Sequence, residues 1–147
     1  MDHLSKIEIV KKWRSLHKIY TQVLHELERL LQEKHQLSLS EFHVLLILSE
    51  APGYRMRLQQ LANEAGLSQS AMSRLVSRLE DESCGLLRRH ICDTDRRGVY
   101  TKLTEKGKEQ LAKVLPTYQE VIVTSFAKKQ HIETLMDLCT IMKKTNE

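Results

Sequence analysis

The stretch LQQLANEAGLSQSAMSRLVSRLE, from Leu58 to Glu80, decides the fold. A short helical segment from Leu58 to Ala65 stops at Gly66 and a second helix starts at Ser68, which is a helix-turn-helix pattern. Stepping about 100° per residue from Gln69 places Gln69, Ser73, Ser77, Ser70 and Arg74 within roughly 0–140°, and Met72, Leu75, Val76 and Leu79 within roughly 240–340°. One face is apolar and core-forming; the other carries hydroxyls, an amide and a guanidinium. No Asp or Glu occurs from Leu67 to Leu79, although the chain has 19 of them. A solvated helix face ordinarily mixes both signs. Small serines let a helix lie deep in a major groove, Gln69 and Arg74 reach base edges or phosphates, and the helix N-terminus favours a phosphate. The alternative is an ordinary surface helix, since helix pairs of this shape also occur in bundles that bind no nucleic acid.

Beyond Cys84-Gly85 the texture changes. Leu86 to Cys92 and Val99 to Leu103 are β-compatible runs flanking Asp93-Thr94-Asp95-Arg96-Arg97-Gly98, which reads as a hairpin with a polar, basic tip. Arg88, Arg89, Arg96, Arg97 and Lys102 face only two acids in this region, Asp93 and Asp95. An arginine on such an arm fits a narrow minor groove, where negative potential is enhanced. Asp95 is placed to pair with Arg97 and hold it extended. A basic hairpin directly after a helix-turn-helix makes a winged helix-turn-helix, here spanning 37–103.

Upstream, Ile9, Trp13, Leu16, Tyr20, Val23, Leu24, Leu27, Leu30 and Leu31 recur at helical steps, so residues 1–36 read as one long amphipathic helix. A stripe this long needs an equally long cover, and in so short a chain a second copy supplies it; packing within the monomer is the alternative. Ser38-Leu39-Ser40-Glu41 has the form of a capping box, with Leu37 and Phe42 at staple positions, and opens a helix that Ala51-Pro52-Gly53 ends. Downstream, Thr104-Glu105-Lys106 starts another long helix with Leu111, Leu115, Tyr118, Ile122 and Phe126 on its apolar stripe, and Pro116 is expected to kink or adjust it. Ile132, Leu135, Met136, Cys139 and Met142 mark a last amphipathic segment. The expected fold class is mainly α: a winged helix-turn-helix with a small β-hairpin wing, flanked by helices 1–36 and 104–147 that form a dimerisation region, all in a single domain over 1–147.

Composition agrees. The 147 residues contain only five glycines and two prolines, too few turn residues for a β sandwich or barrel. The glycines are also too far apart for a phosphate-binding GxGxxG or P-loop. The net charge of +4 makes an acidic partner worth testing and proves none. Cys84, Cys92 and Cys139 form no CxxC and no disulfide framework, which fits reduced thiols in a cytoplasmic protein. No bilayer-length apolar run and no signal peptide is read, so no membrane is expected. With no activated nucleophile, metal set or paired carboxylates, no enzymatic activity and no cofactor is expected.

From Leu58 to Gly107 the chain resembles the MarR family of bacterial transcriptional regulators. The residues carrying the likeness are Leu61-Ala62, Gly66-Leu67-Ser68, Ser73-Arg74-Leu75 and Leu79-Glu80, then Asp93-Thr94-Asp95-Arg96-Arg97-Gly98 and Leu103-Thr104-Glu105-Lys106-Gly107. The resemblance implies a homodimer in which the first and the last two helices intertwine and two winged units meet successive major grooves. It implies that Arg97 enters the minor groove, that Asp95 orients it, and that Arg96 contacts a phosphate. The expected DNA-binding set is Ser68, Gln69, Ser70, Ser73, Arg74, Ser77, Arg78, Asp95, Arg96 and Arg97. One departure is Glu80-Asp81-Glu82-Ser83-Cys84, about two residues more than the family's usual spacing, which is expected to add a partial turn or bulge before the wing.

The family's default effector is a small aromatic or phenolic molecule lodged between dimerisation helices and winged unit, and Trp13, His17, Tyr20 and Phe42 are candidates to line its pocket; core packing is the alternative for each. Oxidant sensing would fall to Cys84 or Cys92, the latter close in sequence to arginines that favour a thiolate. Zinc-responsive relatives carry a ligand where His43 lies, but residues 104–129 hold no histidine, so no metal site is expected. The function read from the sequence is a homodimeric regulator, a repressor, released by a small molecule or oxidant from a pseudo-palindromic duplex operator. A winged-helix module that binds protein and has no operator of its own is the alternative.

Overall fold

Why the chain turns where it does is written in its caps. A computed structural model describes residues 3–92 and 95–145, with the side chains of 6–91 and 98–144. The elements in order are α1 (His3–His35), α2 (Leu39–Glu50), a 3-10 turn (Pro52–Tyr54), β1 (Arg55–Arg57), α3 (Leu58–Ala65), α4 (Gln69–Glu80), β2 (Leu87–Cys92), β3 (Asp95–Leu103), α5 (Glu105–Phe126) and α6 (Lys129–Thr145). Ser38 caps α2, its hydroxyl accepting from the Glu41 N–H at 3.1 Å, and Ser68 caps α4 in the same way, accepting from the Ala71 N–H at 3.2 Å. Gly66 ends α3 in the left-handed region at φ 67°, a conformation that glycine adopts without a Cβ penalty. The two helices of the pair are therefore separated by residues chosen for stopping and starting.

The chain divides into two compact units, Lys34–Pro116 and Met1–Glu33 with Thr117–Glu147. In the first, Phe42, Val44, Leu45 and Leu48 of α2, Leu61 of α3, and Met72 and Val76 of α4 are all 0% exposed. Each such side chain is worth about 1.5–3 kcal/mol of burial. The three-stranded sheet has the order β1-β3-β2, antiparallel throughout. The sequence reading has a two-stranded hairpin; β1 is an added third strand, pairing Arg55 with Lys102, Met56 with Thr101 and Arg57 with Tyr100. β3 is also longer than read, beginning at Asp95, so Arg96 and Arg97 have strand backbone, and the ladder is irregular at Ile91/Cys92. The second unit pairs α1 with α6 through Lys12 and Asp137 at 2.6 Å, and buries His131, whose Nδ1 lies 2.7 Å from the Ser125 carbonyl.

The extra residues after α4 form one isolated turn, separated from the helix at Asp81, where the backbone leaves the helical region. They close a tight turn: the Cys84 and Gly85 N–H groups donate to the Asp81 carbonyl at 2.8 and 2.7 Å, and Ser83 donates its N–H and hydroxyl to the Asp81 carboxylate. These bonds hold the Asp81 carboxyl below its ordinary range. The chain then returns to the helix, with Leu86 N–H donating to Leu79 O at 2.8 Å. Pro116 lies inside an uninterrupted α5.

The start of α5 is a joint. Thr104 Oγ1 accepts from the Gly107 N–H at 3.0 Å, while its own proton has the Gly85 and Leu86 carbonyls within 2.7 and 3.0 Å. A Cβ on Gly107 would sit 2.3 Å from Leu86 O and 2.6 Å from Leu103 Cδ1, so only glycine lets α5 approach the base of the wing this closely. Replacing Gly107 by Ala is expected to cost about 3 kcal/mol, read as a lower urea midpoint at unchanged slope, through overpacking against backbone that cannot yield. A second expectation concerns His43, whose imidazole burial pushes below its ordinary value of 6.5. The unfolded chain then takes up a proton that the native state resists, so stability is full above about pH 6.5 and falls below it. Thermal melts at about pH 7.5 and 5.5 should show a larger loss for the wild type than for His43→Gln.

Candidate nucleic-acid interface

Ser68, Gln69, Ser70 and Arg74 lie together on the first turns of α4, all exposed. Ser68 and Ser70 hydroxyls are 3.3 Å apart, and the free N–H groups of the first turn open beside them. Arg74 makes no ion pair among the described residues, so its guanidinium is available. Met72, Val76 and Leu79 on the opposite face are buried, which fixes the rotation of the helix and hence the direction of this patch.

Ser73, Ser77 and Arg78 are also on α4 but are engaged within the fold. Arg89 of β2 donates through Nη2 to Ser73 O at 2.7 Å, to Ser77 Oγ at 2.9 Å and to Ser73 Oγ at 3.3 Å. Its Nε is 3.6 Å from the Glu80 carboxylate. The arginine read from sequence as part of a basic wing is thus turned inward, tying the recognition helix to the strand behind it. Arg78 Nη1 lies 3.0 Å from Oε1 of Glu41, a carboxylate only 4% exposed. Glu41 does not complete the capping box; its side chain crosses to α4, and Oε2 is left without a hydrogen-bond partner. Removing Arg78 would leave a buried carboxylate unpaired, so this residue has a structural duty separable from any contact with a ligand.

Asp95, Arg96 and Arg97 have their backbones in β3, and their side chains lie outside the described residues, as does that of Cys92. Cys84 is a half-buried free thiol in the turn after α4. Of the proposed effector-pocket residues, Trp13 and Tyr20 on α1 are 63% and 56% exposed, whereas Phe42 of α2 is 0% exposed. His17 is exposed and lines a cleft of about 520 Å³ with Lys11, Arg14, Ser15 and Lys18. Among the described residues no three His, Cys, Asp or Glu side chains gather where a metal could bind, and no helix is long and apolar enough to cross a membrane. Sequence reasoning does not single out Arg55 and Arg57, which flank the buried Met56 in a strand of only three residues.

A capped recognition helix packed on an antiparallel sheet with a hairpin wing defines the winged helix-turn-helix class. Residues 37–99 match the family model for MarR. AbsC, a MarR family transcriptional regulator from Streptomyces coelicolor, is 33% identical, with 91% of this chain and 88% of that one covered and a TM-score of 0.75. Sco3205 from the same organism, solved in complex with DNA, is 30% identical over 92% of this chain and 83% of that one, also at a TM-score of 0.75. BldR from Sulfolobus solfataricus, a transcriptional regulator, is 26% identical over 98% and 99%, at 0.74. The chain belongs to the MarR family.

Arg89→Ala should lower stability by about 1.5–3 kcal/mol in urea titration, because hydrogen bonds made by a charged donor disappear and Glu80 loses its partner. Amide exchange should rise in the Ser73 to Glu80 half of α4 more than in the first turn, which Ser68 caps independently.

Proposed function

We propose that this chain is a homodimeric, DNA-binding transcriptional regulator that acts as a repressor on a pseudo-palindromic operator. One observation carries the reading: the first turns of α4 present Gln69, Ser70 and Arg74 on an exposed surface, with no ion pair to Arg74 among the described residues and no acid from Leu67 to Leu79. That surface matches what a major groove demands, hydrogen-bonding groups of small bulk and no repulsion from phosphates. The DNA-bound structure of Sco3205, at 30% identity, supports the same direction. Arg97 is the minor-groove residue in this reading, Asp95 its orienting acid and Arg96 a phosphate contact. Ser73, Ser77 and Arg78 contribute less directly, since Arg89 and Glu41 already hold them.

Dimerisation is supported by where apolar surface remains. Among the described residues, eight of the eleven exposed large apolar side chains are on the helices of the second unit: Ile7, Val10, Trp13 and Tyr20 of α1, Val123 of α5, and Ile132, Met136 and Met142 of α6. Exposed apolar side chains concentrated on one set of helices point to an association site, and a second copy of the same helices is its occupant in this reading. Two copies would place their recognition helices about one duplex turn apart, on the order of 10 bp. A small aromatic effector, or oxidation at Cys84 or Cys92, would release the operator by favouring a dimer whose helices miss that spacing.

The test is selection of bound duplexes from a random pool, followed by titration of the winning sequence. Arg74→Ala should weaken binding by about 1–3 kcal/mol and relax preference at one position, and Arg97→Ala should lower the salt slope by about one. Sedimentation should give twice the chain mass for the wild type and a monomer for Trp13→Glu. Wild-type affinity and preference in both arginine variants would remove the groove assignments.

A further inference from the structure

Strand register sorts the sheet residues into two faces with opposite contents. Met56, Leu87 and Leu103 are buried and Thr101 is 0% exposed, so they point with Arg89 toward the helices. The other face carries Arg55, Lys102 and Arg88 aligned in one row, and Arg57, Tyr100 and His90 aligned in the next. Four of these six are permanent cations, and the six include no carboxylate and no aliphatic side chain. The rows are about 7 Å apart along the strands and the strands about 4.8 Å apart, so the four charges crowd a small area. Like charges placed opposite one another on a sheet repel.

The cluster is built, not loose. The guanidinium carbons of Arg55 and Arg57 lie 5.4 and 5.5 Å from the Tyr100 ring centroid, and Arg57 Nε donates to the Tyr100 hydroxyl at 3.2 Å. His90 stacks on the same ring at 5.7 Å with 26° between planes, and Arg55 Nη1 reaches its Nε2 at 3.5 Å. Tyr100 thus fixes two arginines and an imidazole at once. Arg88 and Lys102 are exposed and unpartnered among the described residues. Side chains already immobilised lose little further freedom when an anion docks.

We propose that this outer face is a second nucleic-acid contact, taking the phosphates of duplex that flanks the operator. The inference rests on the DNA-binding reading above and extends it to residues on the opposite side of the sheet from α4. An acidic protein partner fits less well: a protein interface needs an apolar centre from which water is excluded, and this face offers none outside Tyr100. Phosphates need only positioned cations. Because the face turns away from α4, it meets DNA only where the duplex runs past the wing, so its contribution depends on duplex length.

The experiment uses the full chain and the selected operator in two lengths, a duplex ending at the outer edges of its two half-sites and the same sequence extended by about one turn at each end. The wild type should bind the longer duplex roughly tenfold more tightly at low salt and with a steeper salt dependence. Arg55→Ala/Arg88→Ala/Lys102→Ala should abolish that advantage, lowering the slope on the long duplex by about 0.9 for each phosphate no longer neutralised, and leave the short duplex within about twofold. Arg88→Gln/Lys102→Gln, with the Tyr100 cluster untouched, should lose part of it at an unchanged melting temperature. Arg74→Ala should weaken both lengths equally, which separates failure of this inference from failure of the DNA-binding reading. Equal behaviour of wild type and triple variant on both lengths, or an equal loss on both, overturns the proposal. So does displacement by polyglutamate with no dependence on duplex length, which would assign the face to an acidic polypeptide.

Discussion

Arg89 ties the recognition helix to the wing, and the geometry of the candidate interface depends on that tie. Its guanidinium reaches a main-chain carbonyl and two serine hydroxyls on α4, and Glu80 balances its charge. A guanidinium suits this place because it is planar, always charged and rich in donors, so one half-buried side chain satisfies several acceptors across two elements. The consequence for α4 is a division of labour along its length. The first turn and Arg74 are free to meet a ligand, whereas Ser73 and Ser77 are held by Arg89 of the sheet and Arg78 by the buried carboxylate of Glu41.

A second constraint lies at the other end of the wing. Thr104 and Gly107 bring the start of α5 against the Leu86 carbonyl, closer than any side chain on Gly107 would permit. The tight turn over Asp81 to Gly85 and this joint together pin the base of β2 and β3. Both strands therefore leave a hydrogen-bonded base. The same pinned strands turn four cations and Tyr100 outward.

The helix-turn-helix is legible to the residue because its signals are local. Ser38, Ser68 and Gly66 act on the backbone within one turn of themselves, and the apolar stripe of Met72, Val76 and Leu79 has a period that requires no knowledge of the partner. β1 is not legible, because three residues are too few to show a pattern and a strand so short exists only when a neighbour pairs with it. The extra residues before the wing are visible as an insertion, but a hydrogen-bonded turn and a longer helix have the same length in the sequence.

Of the polar residues on α4, the sequence alone determined that Gln69, Ser70, Ser73, Arg74 and Ser77 share a face and that no acid stands among them, because helical periodicity places side chains by counting. Only the tertiary structure decided which of them remain available. Ser73 and Ser77 fall within reach of an arginine 12 to 16 residues away, and Arg78 within reach of a carboxylate on another helix, while Arg74 meets neither. Partner choice among charged and hydroxyl groups is made in space by distance and burial, and spacing along the chain carries no record of it.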